Sequence, residues 1–230
     1  MPTTTPSVLV FDVNETLIDI HSLAPLFAEK FGDGRVLREW FAQLIMYSMT
    51  VTLAENYVNF PTLAQGVLRM LGDAYGVAIT DDDLQRLKTG LLTMPAHPDV
   101  AEGLAALRDN GFRLVTLTNS PPNPDGPTAL QNSGLAEYFE HQLSVDACRA
   151  FKPAPAVYRH ACDTLGVAPA DCMMVAAHAW DTLGAQRVGY SSALITRPGN
   201  PPLAVDGLPQ PDLVVSDIRE LAERLIEGRR

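Results

Sequence analysis

The stretch Val8-Leu9-Val10-Phe11-Asp12-Val13-Asn14-Glu15-Thr16-Leu17 decides how this chain folds. Its first part is apolar without alternation, as expected of a strand covered on both faces. It then turns polar at Asp12, as a strand end opening onto a ligand site does. Similar runs recur at Leu114-Val115-Thr116-Leu117, Gln142-Leu143-Ser144-Val145, Met173-Met174-Val175-Ala176, Ala193-Leu194-Ile195 and Leu213-Val214-Val215. Helical patterns that stop at glycine lie between them, such as Val100 to Asn110 before Gly111 and Ala156 to Leu165 before Gly166.

Strand alternating with helix predicts an α/β fold: a Rossmann-like parallel sheet with helices on both faces and right-handed crossovers. The interval after the first strand breaks the rhythm. From about His21 to about Leu92 only helical periodicity is seen, with Thr80 and Asp83 spaced as a capping box. One crossover helix needs far fewer residues, so an inserted all-helical cap is expected over residues 21–92. The catalytic core then comprises residues 1–20 and 93–230. The Pro/Gly-rich stretch Arg197 to Pro211 reads as a surface loop.

With 230 residues, 47% hydrophobic and 19% charged, the chain reads as globular. A net charge of −10 argues against nucleic acid and against a membrane surface. No run is long enough to span a bilayer, and Met1 to Ser7 lacks the basic segment of a signal peptide. Cys148, Cys162 and Cys172 show no CxxC spacing and read as reduced thiols of a cytoplasmic protein.

Polar residues converge where the strands end. Asp12 to Leu17 follow the first strand, and Thr118-Asn119-Ser120 the second. Phe151-Lys152-Pro153 comes after the third, and His178-Ala179-Trp180-Asp181 after the fourth. Any one of these fits a helix cap, but capping alone does not account for all of them in this order.

This order resembles the haloacid dehalogenase superfamily, whose pattern is Asp-x-x-x-Thr, then Ser/Thr, then Lys ahead of a helix, then an acidic cluster. The likeness spans nearly the whole chain. Phe-Asp-x-x-x-Thr-Leu, Lys-Pro-x-x-x-Val-Tyr over Lys152 to Tyr158, Ala-Trp-Asp, and Tyr57-Val58-Asn59-Phe60 are most similar to its L-2-haloacid dehalogenase branch.

Elementary chemistry separates the branches. A phosphatase of this type needs a general acid two residues beyond the nucleophile, where this chain has Asn14. It also needs several carboxylates around Mg²⁺, and the first acid expected after the fourth strand is replaced by Ala177. Displacing halide from carbon needs neither device. Asp12 then attacks C2, and water cleaves the resulting ester. No metal and no cofactor are expected.

The resemblance implies further roles. Lys152 pairs with Asp12. Thr118 and Asn119, with backbone N–H groups near Val13 and Asn14, hold the carboxylate of a small-molecule substrate. Thr16 bonds the nucleophile loop or caps a helix. Tyr158 bonds Asp12 or Lys152, or is a core tyrosine. Asp181 orients or deprotonates the hydrolytic water, caps the following helix, or does both. A homodimer is a family expectation.

Two positions depart from the family pattern. Phe41 stands where the cap motif carries an arginine, and Arg38, one helical turn away, reads as a solvated surface residue. His178 stands where those enzymes have asparagine, and acts either as a base or as a hydrogen-bond donor. Phe41, Tyr47, Phe60 and Trp180 are candidate apolar walls, or simply core. The leading expectation is dehalogenation of short L-2-haloalkanoic acids. A phosphatase of the same superfamily and a vestigial binding protein are the alternatives.

Overall fold

The computed structural model describes residues 6–229. The expectation about a leader peptide, drawn from Met1 to Ser7, falls largely outside the described residues.

A parallel sheet forms the centre, with strands β1 (Val8–Phe11), β2 (Arg113–Thr118), β3 (His141–Ser144), β4 (Cys172–Ala176), β5 (Ser191–Ile195) and β6 (Leu213–Val215) in the order β3-β2-β1-β4-β5-β6. Every apolar run singled out above falls on a strand, except that Val145, at the end of the third run, already belongs to a 3-10 turn. β1 is fully buried because β2 and β4 flank it: Val8 lies in register with Arg113 on one side and Cys172 on the other. The strand order reverses between β1 and β4. The carboxyl ends of these strands therefore open a crevice where their following loops part.

Between β1 and β2 the chain forms helices α1 (Ala24–Phe31), α2 (Val36–Leu53), α3 (Phe60–Tyr75) and α4 (Asp81–Leu92), and no strand of the sheet. α2 buries Leu37, Trp40, Phe41, Leu44 and Ile45, an apolar stripe at helical spacing, together with Ser48, whose hydroxyl donates to the Leu44 carbonyl. Its Trp40 Nε1 donates to the Ala64 carbonyl at 3.0 Å, tying α2 to α3. Asn59 caps α3 by accepting from the Thr62 N–H at 3.0 Å. α4 opens with the expected Thr80/Asp83 capping box. Burying Asp83 there is offset by Lys30, whose Nζ lies 2.6 Å from it.

The remaining helices are α5 (Val100–Asp109), the short α6 (Ala129–Asn132), α7 (Pro155–Leu165), α8 (Ala179–Gln186) and α9 (Ile218–Glu227). α5 packs closely on α9 because residue 103 is glycine: a Cβ there would lie 2.7 Å from Ile218. Among the described residues no helix is long and apolar enough to cross a membrane.

The 197–211 loop departs in part from its reading. Most of it is exposed, but Arg197 is buried. Its guanidinium grips Asp99 through both carboxylate oxygens at 2.7 and 2.9 Å. It also donates to the Thr16 carbonyl, from Nη2 at 2.9 Å and from Nε at 3.2 Å. A buried cation survives only with such partners, and this one braces the loop after β1.

Candidate active site

Asp12 continues β1, with its N–H bonded to the Val175 carbonyl at 3.0 Å, so its side chain stands at the mouth of the crevice. It is 5% exposed. Lys152 Nζ donates to Asp12 Oδ1 at 2.7 Å, and Thr16 Oγ1 donates to Oδ2 at 2.7 Å. Thr16 Oγ1 also accepts from the Ala177 N–H at 2.9 Å. Of its two readings, Thr16 thus has the geometry of a loop tie rather than a cap.

Lys152 comes from the segment ahead of α7 and has no exposed side-chain surface. Its ammonium donates to Asp12, to Asp181 Oδ2 at 2.6 Å and to the Leu117 carbonyl at 2.8 Å. All its protons are thereby used. Burial disfavours the Lys152 charge, but Asp12 and Asp181 outweigh this and raise its pKa. Burial likewise works against the Asp12 charge. The charges of Lys152 and His178 prevail, holding the Asp12 carboxyl well below the usual carboxylate range. Asp12 is therefore ionised at neutral pH, as a nucleophile must be.

Asp181 is fully buried, in the first turn of α8. The helix begins earlier than the cap reading of Asp181 requires, and His178 is its N-cap residue. Asp181 Oδ1 accepts from the Tyr158 hydroxyl at 2.6 Å and Oδ2 accepts from Lys152. Tyr158 thus bonds neither Asp12 nor Lys152; fully buried with its hydroxyl satisfied, it fits the alternative reading of a core tyrosine, while touching the site through Asp181. It reaches Asp181 because α8 approaches closely at Gly184, where a Cβ would sit 2.6 Å from the Tyr158 hydroxyl. Burial pushes the Asp181 pKa up, against the pull of Lys152.

His178 covers the other side of Asp12. Its Nε2 lies 2.6 Å from Glu15 Oε2, and its Nδ1 lies 3.3 Å from Asp12 Oδ2. That second contact lacks hydrogen-bond alignment and leaves Nδ1 unpartnered, so the attraction there is between charges. Burial disfavours the imidazolium, but Asp12 and Glu15 overcome this and raise the pKa to about 9. The ring stacks on half-buried Trp180, with centroids 4.8 Å apart and planes at 18°. Phe41 also lies against it, with centroids 5.8 Å apart and planes at 34°.

Glu15 and Arg197 were not among the residues singled out from sequence. Glu15 lies inside the nucleophile motif, but its direction depends on a left-handed backbone, φ 61°. Arg197 lies two residues beyond the end of β5, so the strand-end argument applied to Asp12 could have found it.

Cavities open on both sides of this cluster. The larger, about 1100 Å³, is lined by Glu15, Phe41, Trp180 and His178, and by apolar residues of α2. Arg38 is exposed at its edge, bonded to the Gly199 carbonyl and lying 3.4 Å from Asn200 Oδ1. The smaller, about 440 Å³, is lined by Val13, Asn14, Phe60, Thr118 and Ser120 among others. Thr118 Oγ1 accepts from the Ser120 N–H at 3.1 Å, and Asn119 Oδ1 accepts from the Lys152 N–H at 3.2 Å. Tyr47, half-buried against the core, lines neither cavity.

The carboxylates best placed to share a divalent cation are Asp12 and Asp181, and the Lys152 ammonium bridges them. This is a poor donor set for magnesium, which needs several free oxygen ligands.

Comparison with known proteins agrees with this geometry. Residues 6–189 match the model of the haloacid dehalogenase-like hydrolase family. The chain is 33% identical to (S)-2-haloacid dehalogenase 4A of Burkholderia cepacia over 195 residues, covering 84% of each chain. It is 30% identical to (S)-2-haloacid dehalogenase of Pseudomonas sp. (strain YL), covering 94% of this chain and 92% of that one. Its fold is similar to L-2-haloacid dehalogenase from Xanthobacter autotrophicus with chloropropionic acid covalently bound. That match has a TM-score of 0.84 at 26% identity and covers 98% of this chain and 100% of the other. An ionised strand-end aspartate clamped by a buried lysine, in a chain with these relatives, leads to one conclusion: the protein belongs to the haloacid dehalogenase-like hydrolase family.

Proposed function

We propose that this protein is a metal-independent hydrolase that converts short L-2-haloalkanoic acids to 2-hydroxy acids. One observation carries the reading: Asp12 is held ionised by Lys152, while the position of a phosphatase acid is Asn14, which cannot deliver a proton to a departing alcohol. A halide departs without a proton and needs no such acid.

In this reading Asp12 displaces halide from C2 with inversion, forming an ester that water later opens at the Asp12 carbonyl. Lys152 orients Asp12, Asp181 and Tyr158 hold Lys152 in place, and Thr16 ties the nucleophile loop. Thr118, Asn119 and the backbone at Val13 and Asn14 receive the substrate carboxylate. Phe41, Phe60 and Trp180 wall the reacting centre, and Tyr47 supports that wall from behind. The helices of residues 21–92 act as a cap over a core of residues 1–20 and 93–230. A cytoplasmic location and a homodimer complete the proposal.

The test is halide release from L-2-chloropropionate, with and without chelator. Release that survives the chelator and is abolished by Asp12→Asn supports the reading. A folded wild-type protein that releases no halide from any short 2-haloacid refutes it.

A further inference from the structure

We propose that His178, oriented by Glu15, is the base that activates water to open the ester on Asp12. The inference deepens the dehalogenase reading and rests on it. Water activation requires an uncommitted lone pair close to the Asp12 carboxyl group, on a side chain that borders a cavity. His178 supplies it: Nδ1 lies 3.3 Å from Asp12 Oδ2 and has no hydrogen-bond partner, and although Nδ1 itself is buried, its ring lines the larger cavity from which water can reach it.

The opposite ring nitrogen is committed. Nε2 lies 2.6 Å from Glu15 Oε2, which fixes an Nε2–H tautomer and leaves Nδ1 as the site that gains and loses a proton. Glu15 reaches it only from a left-handed backbone, φ 61°. The Glu15 N–H, bonded to the Ile18 carbonyl at 2.9 Å, and His97 Nε2, 3.1 Å from the Glu15 carbonyl, hold that conformation. A non-glycine residue kept in this region points to a function for its side chain. The stacked Trp180 ring and Phe41 stop the imidazole from turning away.

Asp181, the other candidate base, is arranged differently. It has no exposed surface, both its oxygens accept strong hydrogen bonds from Lys152 and Tyr158, and it lines neither cavity.

The protons balance over a cycle. At rest the imidazolium lies between the Asp12 and Glu15 carboxylates, with Lys152 on the far oxygen of Asp12, uncharged Phe41 and Trp180 against its ring, and Arg38 at the cavity edge. When Asp12 bonds to C2 and the C–halogen bond breaks, one of the two carboxylates holding the imidazolium is neutralised. Nδ1 then releases its proton to solvent alongside the halide. Water attacks Asp12 Cγ and gives a proton to Nδ1. As the Cγ–O(alkyl) bond breaks, Nδ1–H protonates the departing alkoxide. The Asp12 carboxylic acid finally passes its proton to Nδ1, restoring the resting state. The sum is haloacid plus water giving hydroxy acid, halide and a proton.

The experiment follows halide release and intact protein mass with L-2-chloropropionate. For His178→Asn, about one halide per site should appear, with the ester accumulating on Asp12 and turnover falling at least ~100-fold. For Glu15→Gln, ester formation should persist while hydrolysis slows, and the pH midpoint of the hydrolytic phase should fall because a negative neighbour is gone. His178→Asn turning over within about threefold of wild type overturns the inference, as does a folded His178→Asn that yields no first halide. Ester accumulation in Asp181→Asn but not in His178→Asn overturns it too. If His178→Asn does not fold, Glu15→Gln decides, and an unchanged hydrolytic phase there refutes the dyad. No halide from the wild type removes the dehalogenase reading, and this inference with it.

Discussion

Replacing Lys152 with methionine keeps most of the side-chain volume and removes the charge that touches both Asp12 and Asp181. Nζ makes three donated bonds of 2.6 to 2.8 Å, and the side chain is wholly buried. Removing one partner of such a buried pair costs about 3–5 kcal/mol, because the remaining carboxylates have neither water nor cation. The cost should also depend on pH in a specific direction. In the wild type the Asp12 pKa is lowered, so this group favours folding above the ordinary carboxylate pKa and loses that effect only on strong acidification. In Lys152→Met only the His178 charge still opposes burial at Asp12. Asp181, whose pKa burial already raises, loses the cation that pulled it down, so the buried carboxyls retain a proton to higher pH. The folded variant then binds more protons than its unfolded chain, and its stability falls as pH rises. Each unit of pH over which that extra proton is held contributes about 1.4 kcal/mol. The deficit relative to wild type should therefore shrink by up to about 3 kcal/mol between pH 7 and pH 5. Urea unfolding of both proteins at the two pH values measures it. A deficit below about 1 kcal/mol at pH 7, or one that does not change on acidification, would refute the claim that Lys152 holds the ionised Asp12.

Three further outcomes follow from the same contacts. Asp99→Ala leaves the Arg197 guanidinium buried without its carboxylate, and should cost about 3–5 kcal/mol in urea unfolding. Gly184→Ala places a Cβ 2.6 Å from the Tyr158 hydroxyl and from Pro153 Cβ; it should cost about 1–3 kcal/mol and lower turnover by displacing Tyr158 from Asp181. His178, with its pKa raised from 6.5 to about 9, contributes stability that is fully present below pH 6.5 and lost as pH rises through 9. That loss is roughly 3 kcal/mol and should vanish in His178→Gln, as read from denaturation midpoints at pH 6.5 and 9.5.

The sheet was legible because β1 and β4 are covered on both faces, which forces unbroken apolar runs that no exposed helix would carry. The pairing of Lys152 with Asp12 was legible only through the resemblance to the family, because Lys152 lies well beyond the end of β3, whereas the convergence of the strand ends was legible from topology. Parallel strands bring their carboxyl ends together however many residues separate them. Side-chain direction was harder to read. Tyr158 could be placed near Asp12 and Lys152 but not assigned to Asp181, because that depends on how closely Gly184 lets α8 approach. Glu15 was hidden because one backbone torsion sends its carboxylate to His178. Arg197 was masked by the Pro/Gly-rich composition of its loop, which describes the residues after it better than the arginine itself.

The Arg197 brace also involves the end of the chain. Asp99 Oδ2 accepts from the Ile218 N–H at 2.9 Å, at the start of α9, as well as from Arg197, which holds the Thr16 carbonyl. The last helix is thus part of the foundation beneath the nucleophile loop, although it lies far from the crevice in sequence. Proteolysis or fraying that detached α9 would remove one of the bonds that fix Asp99 and expose the buried pair to water. Loosening at the carboxyl terminus should therefore be felt at Asp12 while the central strands are still folded, and loss of turnover on warming should precede loss of the sheet.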